Sequence, residues 1–300
     1  MRAGARYSFS VTVERSKPRP LDVVLEEVIP EAPDAVTLVL GTGPVRPDYK
    51  AGQFLTIDPR QFPGVRGALA ALEAMKGKKE LARAYSMSSA PHEPRLAVTV
   101  KEEPYLVGVS KHAPLLSPLL CRALPLGTRL SVVGFTGPYI LPPDLEERTD
   151  HVLHVVAGSG AVPNFSLLKD SLHRHPNLRH TFIDSNRTWE DVLFREALLA
   201  LERKYPERLK LVNTLSRQTD LSGTSGTVRA GRVSEALLAE FVGDVGTTFA
   251  YVCGPAIPAW ERRASLETKL PAAPRFLEST LFSLEKLGVS RDRIKREAYG

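Results

Sequence analysis

Residues 155–169, VVAGSGAVPNFSLLK, carry the strongest structural signal in the second half of the chain. An apolar run ends at Val156, GSG follows at 158–160, and a segment of helix-forming composition comes next. Small residues let the backbone close around a pyrophosphate, and the following helix offers N–H donors and a positive dipole. Pro163 suits the first turn of that helix, where no N–H bond is lost. The stretch predicts a strand, a nucleotide-binding loop and a helix, with an ordinary strand-to-helix turn as the alternative.

The sequence from residue 149 to 300 alternates between strand-like and helix-like segments. Strands are predicted at 151–160, 179–186, 209–217 and 247–255, and helices between them at 161–175, 191–206 and 232–242. Alternating strands and helices are typical of βαβ units with a parallel sheet. We therefore predict a Rossmann-like α/β domain over 149–300.

The first half has a different texture, with short β-branched runs bounded by proline and glycine. These runs lie at 22–30, 35–43, 52–59, 95–103 and 129–135. They predict an antiparallel barrel or sandwich over 21–148, preceded by an N-terminal extension at 1–20. Residues 62–81 have helical composition and are interpreted as a helical insertion. The Pro-rich, charged stretch at 141–150 is the predicted connection between the two halves.

Composition excludes several classes of protein. The chain has 300 residues, of which 43% are hydrophobic and 25% charged, as in ordinary globular proteins. No apolar run approaches the roughly 20 residues that a bilayer-spanning helix needs. The first 20 residues lack the apolar core of a secretory signal, so we expect a cytoplasmic protein without a membrane partner.

Charge and cysteine content narrow the expected partners and cofactors. The net charge of +6 is spread along the chain and shows no zinc-finger or RNA-recognition spacing, so no nucleic-acid partner is expected, whereas an acidic protein partner fits. Cys121 and Cys253 are the two cysteines, too few for a cluster bound by four thiolates. A disulfide between them is not expected in a reducing compartment.

The stretch HRHPNLRH, 173–180, brings three histidines close together in the sequence. His173, His175 and His180 have no cysteine or carboxylate at the spacing of common metal sites. We therefore predict a solvated loop here and no metal site.

Three further segments place polar or small residues at or near the ends of predicted strands, where open α/β sheets bind ligands. Cys253 and Gly254 end one strand, with a buried structural cysteine as the alternative. Ser216 and Arg217 follow another strand and could hold a 2′-phosphate. Asp184 follows a third strand and would instead favour binding of a ribose diol. Ser216 and Arg217 thus favour NADP, whereas Asp184 favours NAD.

The motifs in chain order suggest one family. They are RAYSMSS at 83–89, GVS at 108–110, AGSGAVPN at 157–164, SNRT at 185–188, LSR at 215–217, CGP at 253–255 and IKREAY at 294–299. This order resembles the ferredoxin-NADP reductase superfamily over nearly the whole chain. The resemblance implies a flavin-binding, antiparallel Greek-key β-barrel followed by a Rossmann-like nicotinamide-nucleotide domain, with FAD and NAD(P)H meeting between them.

The resemblance also implies roles for individual residues. Arg83 would hold the flavin pyrophosphate, Tyr85 would pack on the isoalloxazine ring, and Ser86 would lie near flavin N5. Glu297 would lie near the site of hydride transfer, and Tyr299 would cover the flavin face until nicotinamide displaces it.

The full sets implied by the resemblance are as follows. Flavin contacts are expected from Arg83, Tyr85, Ser86, Ser89, Val100, Lys101, Gly108, Val109, Ser110 and Tyr299. Contacts with the nicotinamide nucleotide are expected from Gly158, Ser159, Gly160, Pro163, Ser216, Arg217, Cys253, Gly254 and Pro255. Catalytic roles are expected for Ser86, Cys253 and Glu297.

These features predict a flavoprotein oxidoreductase that passes a hydride from NADPH, or alternatively NADH, to FAD. Single electrons would then pass to a separate carrier such as ferredoxin or flavodoxin. Within the enzymes, the alternative is the reductase component of a multicomponent oxygenase. From another class, the alternative is a non-catalytic binding module with the same fold. The sequence leaves the oligomeric state open.

Overall fold

Two six-stranded sheets form the framework of the molecule. The structure is a computed structural model that describes residues 19–105, 107 and 112–299. One sheet is antiparallel and precedes the other, which is parallel, along the chain. No helix in the described part of the chain combines the length and apolar character needed to cross a membrane.

The antiparallel sheet is built from the first six strands. They are β1 (Arg19–Ala32), β2 (Ala35–Gly41), β3 (Phe54–Ile57), β4 (Arg83–Ser86), β5 (Leu96–Lys101) and β6 (Arg129–Thr136). Their order in the sheet is β4-β3-β6-β1-β2-β5. Beyond β4, Met87 pairs with Val98 of β5, and the Ser88 N–H donates to the Ala97 carbonyl at 2.8 Å. The sheet therefore closes on itself, and the predicted Greek-key barrel is confirmed.

The barrel interior follows from the alternation of side chains along each strand. In β5, Leu96, Val98 and Val100 point inward and are buried, while the intervening residues point outward. A strand with this period of two can bury one face in a barrel core and leave the other for contacts outside it. The residues that face outward on β4 and β5 are thus the ones available to a neighbouring unit or ligand.

Helices interrupt the barrel strands at two main points. Helix α1 (Arg66–Lys76) lies between β3 and β4, within the segment predicted as a helical insertion. It ends at Gly77, whose φ of +63° is the left-handed conformation that glycine adopts easily at a helix end. Helix α2 (Leu116–Arg122), which the sequence analysis did not predict, inserts Leu116 and Leu120 into the barrel core.

The parallel sheet contains the other six strands. They are β7 (His151–Ala157), β8 (Arg179–Asn186), β9 (Leu209–Leu215), β10 (Thr227–Ala230), β11 (Phe249–Pro255) and β12 (Ile294–Tyr299). Their order is β10-β9-β8-β7-β11-β12. The chain first adds strands on one side of β7 and then adds β11 on its other side, which creates the switch point where such sheets bind ligands. The predicted Rossmann-like fold is confirmed.

Helices cover both faces of the parallel sheet. The short helix α3 (Leu145–Arg148) leads into the sheet, and α4 (Ala161–Arg174) and α5 (Arg195–Lys204) pack on the face that carries Phe182. The other face carries α6 (Glu235–Phe241) and α8 (Phe276–Lys286), while α7 (Ala259–Thr268) precedes α8 in the chain. Because both faces are covered, the central strands are continuously buried, as in β7.

Specific contacts join the barrel to the parallel sheet. The Ser166 hydroxyl of α4 donates to the Ser89 carbonyl at 2.6 Å. The Phe194 N–H at the start of α5 donates to the Glu31 carboxylate at 3.1 Å. Tyr139, which follows β6, packs in the same buried cluster as the α4 side chains. These contacts place the two sheets side by side, whereas the predicted domain boundary near residue 149 stays a prediction.

The prediction of a solvated loop at 173–180 is wrong for His180. His180 does not lie in a solvated loop: it is the second residue of β8 and is 2% exposed. Its Nδ1 lies 3.3 Å from Nε2 of His154 on β7, and burial lowers its pKa, so the ring is neutral. The sequence misled because histidines flanked by charged residues look exposed, although the strand's alternation directs His180 to the same buried face as Phe182.

Candidate functional site

A glycine loop lies at the switch point of the parallel sheet. Residues Gly158–Gly160 form a single 3-10 turn between β7 and α4. Gly158 has a φ of +53°, and a Cβ on it would have no atom within 4 Å, so the space beside it is open. At Gly160, a Cβ would lie 2.1 Å from the Cys253 carbonyl oxygen. The loop is therefore packed tightly against the end of β11 on one side and accessible on the other.

The ends of β11 and β12 bring two of the predicted catalytic residues together. The parallel register pairs Cys253 with Glu297 and Pro255 with Tyr299. Cys253 is fully buried, and burial together with the nearby Glu297 charge raises the pKa of its thiol well above the usual value. The thiol is therefore protonated at neutral pH and is suited to packing rather than to nucleophilic attack.

Glu297 is a carboxylic acid with an incomplete set of hydrogen bonds. Its Oε2 is buried and has no hydrogen-bond partner among the residues that the structure describes. Burial raises the pKa of this carboxyl to about 7. A group with such a pKa can hold or release a proton near neutral pH, which is the property expected of a proton-transfer residue.

The last strand also reaches the barrel. The Tyr299 hydroxyl on β12 donates a hydrogen bond to the Ser86 Oγ on β4. Burial raises the pKa of Tyr299 well above its usual value, so the phenol is neutral. This contact joins the RAYS motif of the barrel to the REAY motif of the parallel sheet, two motifs that lie more than 200 residues apart in the sequence.

The sequence did not predict a buried chain of polar side chains beside the crevice, which is the region between the glycine loop, the ends of β11 and β12, and β4. The Asn164 Nδ2 donates to the Tyr139 hydroxyl at 3.0 Å, and its Oδ1 lies 2.9 Å from Nδ1 of His154. Burial raises the pKa of Tyr139, and the charges of Cys253 and Glu297 add to that rise. The signal in the sequence was an asparagine in the apolar first turn of α4. These hydrogen bonds fix α4 against the segment that follows the barrel.

The two predicted flavin-binding cations are paired in this structure. Arg83 contacts the Glu80 carboxylate at 2.9 Å and remains about half exposed. Lys101 at the end of β5 contacts Asp34 at 2.8 Å. Tyr85 is partly buried against the barrel core, and burial raises the pKa of its phenol. The ends of β4 and β5 therefore carry two ion-paired cations, and β4 also carries a neutral ring that is partly buried against the core.

Two other predicted flavin contacts have little to offer a ligand. The Ser89 hydroxyl is buried, lies 2.8 Å from the Tyr49 hydroxyl and accepts the Ala97 N–H at 2.9 Å. The Val100 side chain points into the barrel core, which leaves its backbone as the group that can face outward. Gly108, Val109 and Ser110 lie outside the described residues.

The candidate site for the 2′-phosphate lies beyond β9. Ser216 and Arg217 are exposed, and the Ser216 hydroxyl donates to the Asn186 carbonyl at 3.2 Å. In contrast, Asp184 is 2% exposed and lines a small cavity beneath α5 with Trp189. The prediction that Asp184 binds a ribose diol is therefore wrong, because its strand position directs it to the covered face of the sheet.

The remaining predicted nucleotide contacts surround the glycine loop. Ser159 lies within the loop, and Pro163 is the third residue of α4 and is buried. Gly254 packs against Ala157 and Phe276, and Pro255 is exposed at the end of β11. The open side of the loop, the carboxyl ends of the strands and the unpartnered Glu297 oxygen fit a nucleotide and a redox ring lying across the crevice.

Comparison with protein families supports this interpretation of the parallel sheet. Residues 155–259 match the family described as the oxidoreductase NAD-binding domain. A 3-ketosteroid-9-alpha-monooxygenase ferredoxin reductase component from Mycolicibacterium smegmatis is 32% identical over 78% of this chain and 58% of its own length. One of the subunits of a 1,2-phenylacetyl-CoA epoxidase from Escherichia coli is 30% identical over 57% of this chain and 46% of its own length. The chain thus spans about half the length of these two relatives.

Comparison with solved structures covers both sheets. The FAD/NAD-binding domain of a nitric oxide dioxygenase from Vibrio cholerae superposes with a TM-score of 0.68 at 21% identity, covering 95% of this chain and 100% of that one. A ferredoxin-NADP+ reductase variant from Plasmodium falciparum gives a TM-score of 0.65 at 17% identity, covering 93% and 96%. The predicted resemblance is confirmed at this level: residues 155–259 carry an oxidoreductase NAD-binding domain, and the two sheets together have the fold of these FAD/NAD-binding and ferredoxin-NADP+ reductase structures.

Proposed function

We propose that the chain is an FAD-containing reductase that takes a hydride from NADPH and passes single electrons to a separate protein. The observation that carries this proposal is the convergence of Ser86, Cys253, Glu297 and Tyr299 beside the glycine loop. These residues come from both sheets and meet where open α/β sheets bind their ligands.

FAD would be held mainly by the barrel. Arg83 on β4 and Lys101 at the end of β5 are oriented cations, and Tyr85 on β4 has a neutral ring that is partly buried. Guanidinium and ammonium groups form charge-assisted bonds to phosphate oxygens, so these side chains fit a flavin with a pyrophosphate. When bound, FAD would supply the exchange between two-electron and one-electron chemistry, which no amino-acid side chain provides.

The chain's own residues would bind, orient and protect the reactants. Tyr299 is hydrogen-bonded to Ser86 and must leave this position before a nicotinamide can lie there. Glu297, with its pKa of about 7, would hold or move a proton at its unpartnered oxygen. The neutral Cys253 thiol would form one wall of the pocket and keep water out. Fixed geometry and exclusion of water are the contributions expected of such a site.

NADPH is favoured over NADH by the residues after β9. Ser216 and Arg217 are exposed at the carboxyl end of that strand and can both bond to a 2′-phosphate. Arg229 on β10 is already paired with Glu240 at 3.3 Å, which makes Arg217 the stronger candidate. NADH remains the alternative coenzyme.

The electron acceptor would be a separate protein. These 300 residues contain two cysteines and therefore cannot hold an iron–sulfur cluster with four cysteine ligands. Ferredoxin or flavodoxin is the first candidate, and an oxygenase component is the second, because two curated relatives are named as parts of an oxygenase or epoxidase system. A cytoplasmic location belongs to the same proposal.

The decisive experiment is anaerobic reduction of the purified chain. After incubation with FAD and removal of the excess, the protein should retain the yellow flavin absorbance, which should bleach when NADPH is added. NADH should bleach it at lower apparent affinity, and ferredoxin, flavodoxin and oxygenase components can then be compared as acceptors. A protein that stays colourless, or a retained flavin that neither coenzyme reduces, would instead favour the non-catalytic binding module.

A further inference from the structure

A further cavity lies where the barrel meets helices α4 and α5. Its volume is about 770 Å³, and it is bounded by the barrel on one side and by α4 and α5 on the other. Ile29, Val39 and Ser88 line it from the barrel, and Phe165 and Phe194 line it from the helices. The volume falls within the range of roughly 300–1,000 Å³ that is typical of small-molecule sites. None of the described residues that converge beside the glycine loop lines it.

An aromatic wall forms one side of this cavity. The Phe165 and Phe194 rings are stacked, with centroids 4.2 Å apart and planes 10° from parallel. Phe194 has a φ of +54°, an unfavourable conformation for a bulky residue, and its N–H is fixed by the Glu31 carboxylate. Such backbone strain persists only where the surroundings impose it and is frequent at binding sites. Both rings are nearly buried, and the wall is thus held in place as part of the apolar lining of the cavity.

The charged groups of the cavity are mostly satisfied by one another. The Glu31 carboxylate accepts the Thr37 hydroxyl at 2.6 Å as well as the Phe194 N–H. Lys169 donates to Glu93 at 2.5 Å, and its Nζ lies 4.4 Å from the centre of the Phe165 ring. Because Glu31 and Lys169 already have partners, a strongly charged ligand is not needed to neutralise them.

One polar group in the cavity is left without a partner. Ser88 is 2% exposed, and its hydroxyl has no hydrogen bond to any residue in the described ranges. An unpaired buried hydroxyl is unfavourable, and a hydrogen bond to a ligand oxygen in the cavity would relieve that cost. The Ser88 N–H donates to the Ala97 carbonyl, which fixes the backbone that carries the hydroxyl.

We propose that this cavity binds a flat, mainly apolar ring compound that carries one hydroxyl or carbonyl oxygen. The ring lies against the Phe165 and Phe194 wall, since edge-to-face contacts with aromatic rings are favourable, and the oxygen bonds to Ser88. The ligand contacts both halves of the molecule: Ser88 follows the RAYS motif of the barrel by two residues, and Phe165 lies on the helix that begins after the glycine loop. This inference goes beyond the proposed redox function.

The test is a titration of the FAD-loaded protein with 2-naphthol and, separately, with naphthalene, followed by calorimetry or fluorescence. We expect saturable binding of 2-naphthol. Ser88→Ala should weaken 2-naphthol about fivefold, since a net hydrogen bond contributes about 1 kcal/mol, and should leave naphthalene unchanged. Ala200→Trp, which fills the cavity from an exposed position of α5, should weaken both probes at least tenfold.

The matched control is Ala70→Trp on the exposed surface of α1, which should change neither affinity. Absence of saturable binding, or binding that Ala200→Trp leaves unchanged, overturns the site. Equal weakening of both probes by Ser88→Ala overturns the proposed hydrogen bond. Because the readout is affinity for the probe, it is independent of coenzyme reduction, and a protein that binds 2-naphthol but does not oxidise NADPH would contradict only the proposed function.

Discussion

The end of β12 and the covered face of β8 each contain a buried carboxylic acid, and the two acids differ in what surrounds them. Glu297 and Asp184 both have a pKa raised to about 7 by burial, and both have an oxygen without a hydrogen bond among the described residues. Glu297, however, lies at the crevice beside Cys253 and the glycine loop. Asp184 lies beneath α5, next to a cavity of only 10 Å³.

This difference shows that a shifted pKa alone does not identify a functional residue. Both shifts have the same cause, since loss of solvent disfavours the charged carboxylate. For Asp184, the nearby Asn186 amide and Lys101 charge offset the rise only in part, and the cavity beside it has no room for a ligand. Position separates the two acids: Glu297 lies at the strand ends beside Cys253, whereas Asp184 is covered and costs stability.

The largest effect is expected from Asp184→Asn. The folded-state pKa of about 7 exceeds the unfolded value of 3.8, so the native state binds more protons between these values and loses stability as the pH rises through them. A shift of roughly three units corresponds to up to about 4 kcal/mol above pH 7. Urea unfolding should therefore show Asp184→Asn to be more stable than the parent at pH 8, with little difference at pH 4.

Two further measurements test whether Asp184 is only a buried acid. The exposed Asp48→Asn variant, as a control, should follow the parent at both pH values. Asp184→Asn should also reduce flavin at the parental rate, and a slow variant would place Asp184 in the redox chemistry together with Glu297.

The next effect is a loss of rate in Glu297→Gln. Removing a positioned proton-transfer group typically costs about 10²-fold or more in rate. We expect flavin reduction at saturating NADPH, followed by stopped-flow absorbance, to slow by about 10²-fold while the affinity for FAD stays the same. The exposed Glu267→Gln variant serves as the control. An unchanged rate would show that Glu297, like Asp184, is a buried acid without a role in flavin reduction.

A smaller loss is expected from Arg83→Ala at the barrel side of the crevice. Arg83 is half exposed and ion-paired with Glu80, so its guanidinium is oriented but still reachable by a ligand. A hydrogen bond to a charged group contributes roughly 1.5–3 kcal/mol, so the dissociation constant for FAD should rise at least tenfold. Fluorescence titration of the flavin-free protein measures this. Arg66→Ala on the exposed surface of α1 should bind FAD normally, and a fully loaded Arg83→Ala protein would contradict the assignment.

The smallest effect is a change in coenzyme preference in Arg217→Ala. This substitution removes one contact with the 2′-phosphate, so KM for NADPH should rise about tenfold while KM for NADH stays nearly constant. Steady-state kinetics with both coenzymes gives the ratio, with Arg203→Ala at an exposed position of α5 as the control. Equal changes for both coenzymes would remove Arg217 from the specificity site.

The parts of the fold that were predicted from the sequence are those with a clear local pattern. The residues of β8, Arg179–Asn186, match the predicted segment at both ends, because turn residues bound an apolar run. Helices α7 and α8 were not assigned, since the prolines and charged residues around them hide any regular pattern. The pairing of Tyr299 with Ser86 could be expected only through the family resemblance, because tertiary contacts of this range leave no trace in spacing.

The network around Asn164 marks the corresponding limit for the site. Asn164 stands within a quoted motif, yet its two partners, Tyr139 and His154, come from different parts of the chain. Similarly, Asp184 was interpreted by analogy with strand ends that face a ligand. The actual side to which a strand residue points depends on the register of the whole sheet, which a single segment does not reveal.

Strand β4 has one further consequence for how a ligand would be recognised. It lies at one end of the sheet order, and the barrel closes onto β5 only from Met87 onward, so the outer main-chain edge of Arg83–Ser86 has no strand partner within the described ranges. Main-chain N–H and C=O groups on that edge can bond to heteroatoms of a ring whatever side chains the strand carries. Part of the binding specificity would then survive substitution of every side chain in the RAYS motif. Homologues with other residues at these positions could therefore bind the same ligand.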